Sequence, residues 1–163
     1  MTRIPALGPR GEGWLVLQAA LMVAIPLAAW SAAVASPRSA PRIGVERDIG
    51  TVLLLAGVGL MGISTVLLRW RRAWSALPRP VESGSLVDTG PYAVIRHPIY
   101  AGLVIAAAGV ALIRSSALIA FLTLALFVVL DLKRRREEAW LVDRYPGYSA
   151  YKARTTAFVP FLY

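Results

Sequence analysis

The chain has 163 residues, of which 57% are hydrophobic, with 18 Lys and Arg against 9 Asp and Glu, a single histidine and no cysteine. Without cysteine there are no disulfides, thiolate nucleophiles or Cys-based zinc sites, and one histidine cannot make a His-x-x-x-His metal pair. The net charge of +9 flanks apolar blocks instead of forming an exposed stripe with aromatics, which favours anionic lipid headgroups and argues against nucleic acid.

The first apolar block runs from Gly13 to Ala35. Arg3 and Arg10 precede it and Ala33-Val34-Ala35 resembles a cleavage site, so a signal peptide is one reading. Its length and the tryptophans near its ends, Trp14 and Trp30, favour a transmembrane helix. Residues 36–48, with two prolines and mixed charge, read as a loop. A second span is expected from Ile49 to Leu68. It contains GVGLMG, Gly57 to Gly62, which matches G-x-G-x-x-G. Inside a continuous apolar run, with no strand before it, that pattern reads as close helix packing and not as a dinucleotide loop.

Residues 71–97 form a polar connector rich in Pro, Gly and Ser, longer than an ordinary helix–helix loop. Pro98 suits the first position of a third helix, expected to end near Ile113. After a turn at Arg114-Ser115-Ser116, a fourth helix starts at Ala117. It leaves the membrane near Asp131 and continues as a charged helix until Tyr145-Pro146-Gly147. A short tyrosine-rich segment follows. The expected fold is an all-α integral membrane protein of about four transmembrane helices with a cytosolic C-terminal helical extension. Residues 1–70 form the first two spans, and residues 71–163 the connector, hairpin and C-terminal segment. With both termini inside, fourteen basic residues lie on the cytosolic side and four outside, which fixes the expected orientation. The third and fourth apolar runs, at about 24 Å, are short for a ~30 Å hydrocarbon core.

This orientation brings IRHPIYAG and the RREE helix to one membrane face. Arg96 and His97 precede a helix N-terminus, whose N–H groups and dipole favour an anion. The plain alternative is an interfacial anchor, with Arg96 on lipid phosphate and Tyr100 in the aromatic belt. Glu137 and Glu138 also have a plain explanation, as i,i+4 partners of Lys133 and Arg134. Tyr145, Tyr148 and Tyr151 would then pack the tail against headgroups. Taken together, these groups suit a polar cofactor on one side and a greasy substrate from the bilayer on the other.

From about Leu86 to Phe161, the ordered stretches LVDTGPYAVIRHPIYAG and REEAWLVDRYPGYSAYKARTTAFVPF resemble the isoprenylcysteine carboxyl methyltransferase family and its relatives, the phospholipid N-methyltransferases. The resemblance implies S-adenosylmethionine-dependent methyl transfer, without a metal, to a lipophilic acceptor at the cytosolic face. In a prokaryote this would be the plasma membrane. It implies that Gly90, Tyr92, His97 and Tyr100 line the cofactor site, and that Glu137, Glu138, Tyr148 and Tyr151 close it. Residues 71–163 would thus carry the cofactor-binding segment. Arg96 and Glu138 are the expected catalytic pair, positioning the acceptor. A carboxylate acceptor is favoured, since it is nucleophilic at neutral pH and Arg96 suits it. Two other readings stay open: an NADPH-dependent membrane sterol or enone reductase of related architecture, and a non-enzymatic membrane adaptor.

Overall fold

A computed structural model describes residues 5, 7–9, 11–35, 44–71 and 86–160. Arg3, Arg10, positions 36–43 of the first loop, positions 72–85 of the connector and Phe161 lie outside the described residues. The described residues form five α-helices: α1 Glu12–Ala35, α2 Val45–Trp70, α3 Pro98–Arg114, α4 Ala117–Arg144 and α5 Tyr148–Arg154. A 3₁₀ turn, Gly90–Ala93, precedes α3. No strand occurs among the described residues, although an isolated parallel bridge joins Ile95 to Thr156.

Helices α1 and α2, with 24 and 26 residues, are long and apolar enough to cross a membrane. At 1.5 Å per residue each exceeds a ~30 Å hydrocarbon core. Many of their large side chains, including Val16, Val23, Leu27, Val52, Leu55 and Ile63, point outward. Such faces are stable against lipid and costly against water. Helix α3 is apolar but has only 17 residues, as its sequence length implied. Helix α4 has 28 residues; Leu126 and Leu130 are buried along its apolar half, and charged side chains fill the rest.

Small residues set the α2–α3 seam. Gly50, Gly57 and Ser64 are the buried residues of α2 and recur every seven positions. Gly102 and Gly109 answer them on α3. A Cβ at Gly57 would stand 2.5 Å from the backbone of Gly102 and Ala106, and one at Gly109 would stand 2.5 Å from the Gly50 carbonyl. The seam is therefore backbone against backbone. Gly59 and Gly62 have open space where a Cβ would go. Of the GVGLMG run, only Gly57 carries the packing.

Helix α3 ends at Ser115, whose φ of +44° is left-handed, and Ser116 caps α4 by accepting from the Ile119 N–H at 3.4 Å. Helix α4 then lies between α1 and α3. It stops at Tyr145, which is extended before Pro146 as that proline requires. The start of α3 and the end of α4 thus meet at one end of the molecule.

Candidate active site

Three chain segments converge there. The first is the turn that leads into α3. Gly90 begins it with a φ of +59°, and its Cβ position lies 3.2 Å from Leu67 of α2, so a side chain would be strained and crowded. The turn buries Tyr92 and leads to Arg96 and His97. The second is the charged half of α4. The third is the chain after α5, which runs beside residues 94–97: Arg96 N–H donates to the Thr156 carbonyl at 2.8 Å, and His97 N–H to the Ala157 carbonyl at 3.1 Å.

Glu138, with a side chain 3% exposed, is the hub. Its Oε1 lies 3.0 Å from Arg96 Nε, 3.2 Å from His97 Nε2 and 3.6 Å from Arg134 Nη1; its Oε2 lies 2.7 Å from Lys152 Nζ. Burial alone would raise its pKa. The bonds from His97, Lys152 and Arg96 outweigh that and hold the carboxyl well below the usual range. Arg96 is spent at the same time, since its Nη1 also donates to the carbonyls of Lys152 and Thr155.

Glu137, one residue earlier, is in a different position. Its side chain is 23% exposed, its Oε2 accepts from Tyr100 at 2.9 Å, and His97 Nδ1 lies 3.9 Å away. Burial pushes its pKa up, against the lowering pull of His97, Lys133 and the Tyr100 hydroxyl. Two adjacent carboxylates are thus driven apart, one held ionised and one ready to take a proton.

Aromatic rings surround them. His97 stacks on Tyr100, with ring centres 5.4 Å apart, and Phe158 leans toward His97 at 6.3 Å. Tyr148 and Tyr151 meet edge to face at 5.6 Å, and Tyr151 donates to the Tyr92 carbonyl at 2.7 Å. Tyr148 is 2% exposed, and its hydroxyl has no hydrogen-bond partner among the described residues. Burial and the nearby Glu138 and Glu137 keep that hydroxyl protonated, so it is a donor without an acceptor.

The candidate residues named from the sequence lie in the turn before α3 and its first helical turn, in the charged half of α4, and in α5. Arg96, His97, Tyr100, Glu137 and Glu138 are in direct polar contact, whereas Tyr92, Tyr148 and Tyr151 form an adjoining cluster. Gly90 contributes backbone shape only. The tyrosines of α5 are buried and do not face outward. The i,i+4 explanation accounts for one of Glu138's contacts, through Arg134, and Lys133 Nζ bonds Gln18 of α1 at 2.7 Å.

Sequence reasoning missed Gln18, Asp131, Lys152, Thr155 and Phe158 as participants. Asp131 holds both Arg134 and Arg135 at 2.7 Å. A lone glutamine inside the apolar run of α1 was the one available signal for Gln18.

Among the described residues, an all-helical scaffold with two helices long and apolar enough to cross a membrane carries a carboxylate–histidine–tyrosine cluster at one end. The phospholipid methyltransferase family model matches residues 49–147, more than half of the chain, and the chain belongs to that family. It is 33% identical over 109 residues to the cobalt-zinc-cadmium resistance protein CzcN of Cupriavidus metallidurans, covering 66% of this chain and 50% of that protein. It is 31% identical over 139 residues to the nickel-cobalt-cadmium resistance protein NccN of Alcaligenes xylosoxydans xylosoxydans, covering 73% of this chain and 64% of that protein. The chain thus spans about half to two thirds of the length of these relatives. No solved structure matches it. The family points to methyl transfer in a membrane setting and favours neither the reductase nor the adaptor reading.

Proposed function

We propose that the protein transfers a methyl group from S-adenosylmethionine to a lipophilic acceptor at the cytosolic membrane face. In this reading residues 1–70 anchor the chain through two spans. Helices α3 and α4 supply two shorter ones, and residues 71–163 hold the cofactor. The observation that carries the reading is the buried Tyr148 hydroxyl, without a hydrogen-bond partner among the described residues, beside the Glu137–Glu138 pair, within a family of methyltransferases.

The donor set suits the cofactor. When bound, S-adenosylmethionine supplies an activated methyl group on a cationic sulfonium. The rings of Tyr92 and Tyr148 supply aromatic surface for that cation, whereas Tyr100 is stacked on His97 and already has Lys133 Nζ 5.1 Å from its ring centre. Tyr148 has a free donor, and Glu137 can accept from an ammonium or a ribose hydroxyl. Glu138 keeps Arg96 and His97 fixed at the start of α3, and Phe158 and the tail limit water.

The acceptor class rests on how the two glutamates divide. A carboxylate acceptor needs a cation to orient it, and Arg96, the residue expected for that task, is already committed to Glu138, Lys152 and Thr155. Glu137 is the partly exposed carboxylate with a raised pKa, which suits removal of a proton from an ammonium acceptor. We therefore favour an amine-bearing lipid over the isoprenylcysteine type of acceptor. Calorimetric titration of the detergent-purified protein with S-adenosylhomocysteine, with NADPH in parallel, tests the cofactor. Binding of the first alone supports the reading; binding of NADPH alone, or of neither by the folded protein, overturns it. Transfer of labelled methyl groups into aminolipids but not lipid acids is then expected.

A further inference from the structure

Running along α3 from Leu103 to Arg114, away from His97 and Glu138, an apolar groove of about 350 Å³ opens between α1 and α3. That volume lies within the ~300–1,000 Å³ typical of small-ligand sites. Ile25, Pro26 and Ala29 of α1 form one wall, and Leu103, Ala107 and Val110 of α3 the other. Small side chains on both walls leave the space. Pro26 also offers no N–H to the carbonyl of Met22, another lining residue, which loosens α1 at this depth.

Arg114, in the last turn of α3, is the only charged residue of the lining. It is exposed and forms no ion pair or side-chain hydrogen bond among the described residues. Trp30, 71% exposed, stands at the same end of the groove. A slot with aliphatic walls, a tryptophan and one uncommitted guanidinium matches an acyl chain with an anionic headgroup, because guanidinium binds phosphate in a forked geometry.

We propose that this groove is a binding site for an anionic phospholipid, with its phosphate on Arg114 and one acyl chain between α1 and α3. In the orientation given above, the lipid belongs to the leaflet opposite the methyl-transfer site, so it is not the acceptor. The inference stands on the groove and Arg114 and does not depend on the methyltransferase reading.

The test uses the full-length protein in nanodiscs containing phosphatidylglycerol or phosphatidylcholine brominated on the acyl chains. The Trp30 contribution is isolated by subtracting the fluorescence of Trp30→Phe. At equal mole fraction, quenching of Trp30 by brominated phosphatidylglycerol should exceed that by phosphatidylcholine about fivefold, the effect of one cationic side chain on an anionic lipid. Arg114→Gln should equalise the two lipids, and Ala29→Phe, which fills the slot, should reduce quenching by both. Equal quenching in the wild type, or a preference that survives Arg114→Gln, overturns the proposal. So does a Trp30 that neither lipid quenches, the result expected if a second copy of the chain covers the groove.

Discussion

The α2–α3 seam and the α4–tail cluster hold the molecule by opposite means. Along the seam, glycines bring backbone within 2.5 Å of where a Cβ would stand, and nothing there can be exchanged for anything larger. In the cluster, one carboxylate serves four basic side chains, three of them buried and only Lys152 exposed. The first is a rigid hinge line, fixed by shape. The second is an electrostatic knot that a bound ligand can partly retie. In a bilayer, where hydrophobic drive between helices is small, close packing of the first kind holds helices together, and under the proposed function the second is where a ligand would act.

The largest expected effect comes from the knot. Glu138→Ala strands Arg96, His97, Arg134 and Lys152 around an empty centre, and should cost about 3–5 kcal/mol, the range for one lost partner of a buried pair. A melting temperature in detergent within a few degrees of wild type would show that these groups find other partners. The seam follows: Gly57→Ala should cost about 1–3 kcal/mol by overpacking, whereas Gly59→Ala, with open space at its Cβ, should stay within about 0.5 kcal/mol. Equal losses at both positions would break the distinction drawn here.

The two glutamates give a pH test with opposite signs. Glu138 has a depressed pKa in the fold, so its stabilisation is present above the unfolded carboxylate value, ~4.3, and fades as pH falls toward its folded one. Glu137 has a raised pKa, so its contribution is complete below ~4.3 and is lost as pH rises through its folded value. Melting temperatures of Glu137→Gln relative to wild type should therefore improve with rising pH; a difference independent of pH would remove the raised pKa. A small effect is also expected of Arg154→Ala at the exposed pair with Asp88, which should change stability by about 1 kcal/mol at most, read in the same melts.

Four of the five helices were legible in the sequence to within about four residues, and α5 was read only as a tyrosine-rich segment. Their ends carry strong local chemistry: Pro98 at a first turn, Ser116 as a cap, Pro146 as a stop. The polar residues that would gather were also legible, because they stand out against an apolar background. Their division of labour was not. That Glu138 is the hub and Glu137 the more exposed carboxylate, held by Tyr100, depends on which helix face meets the tail, and adjacent residues on a helix point about 100° apart. Thr155 and Lys152 were invisible for a related reason. They act on Arg96 through backbone carbonyls, which no side-chain pattern reports. The G-x-G-x-x-G match shows the converse, a pattern in which a single glycine does the packing.

The pairing of residues 94–97 with the stretch at Thr156 and Ala157 has a consequence for biogenesis. Those tail residues come after every element they complete, so α1 to α4 emerge from the ribosome before the centre can close. Formation of the helices and closure of the Glu138 cluster are thus separate events in time. A chain cut short after Lys152 would keep its apolar helices, yet leave the start of α3 unpaired and Arg96 without the Thr155 and Thr156 carbonyls.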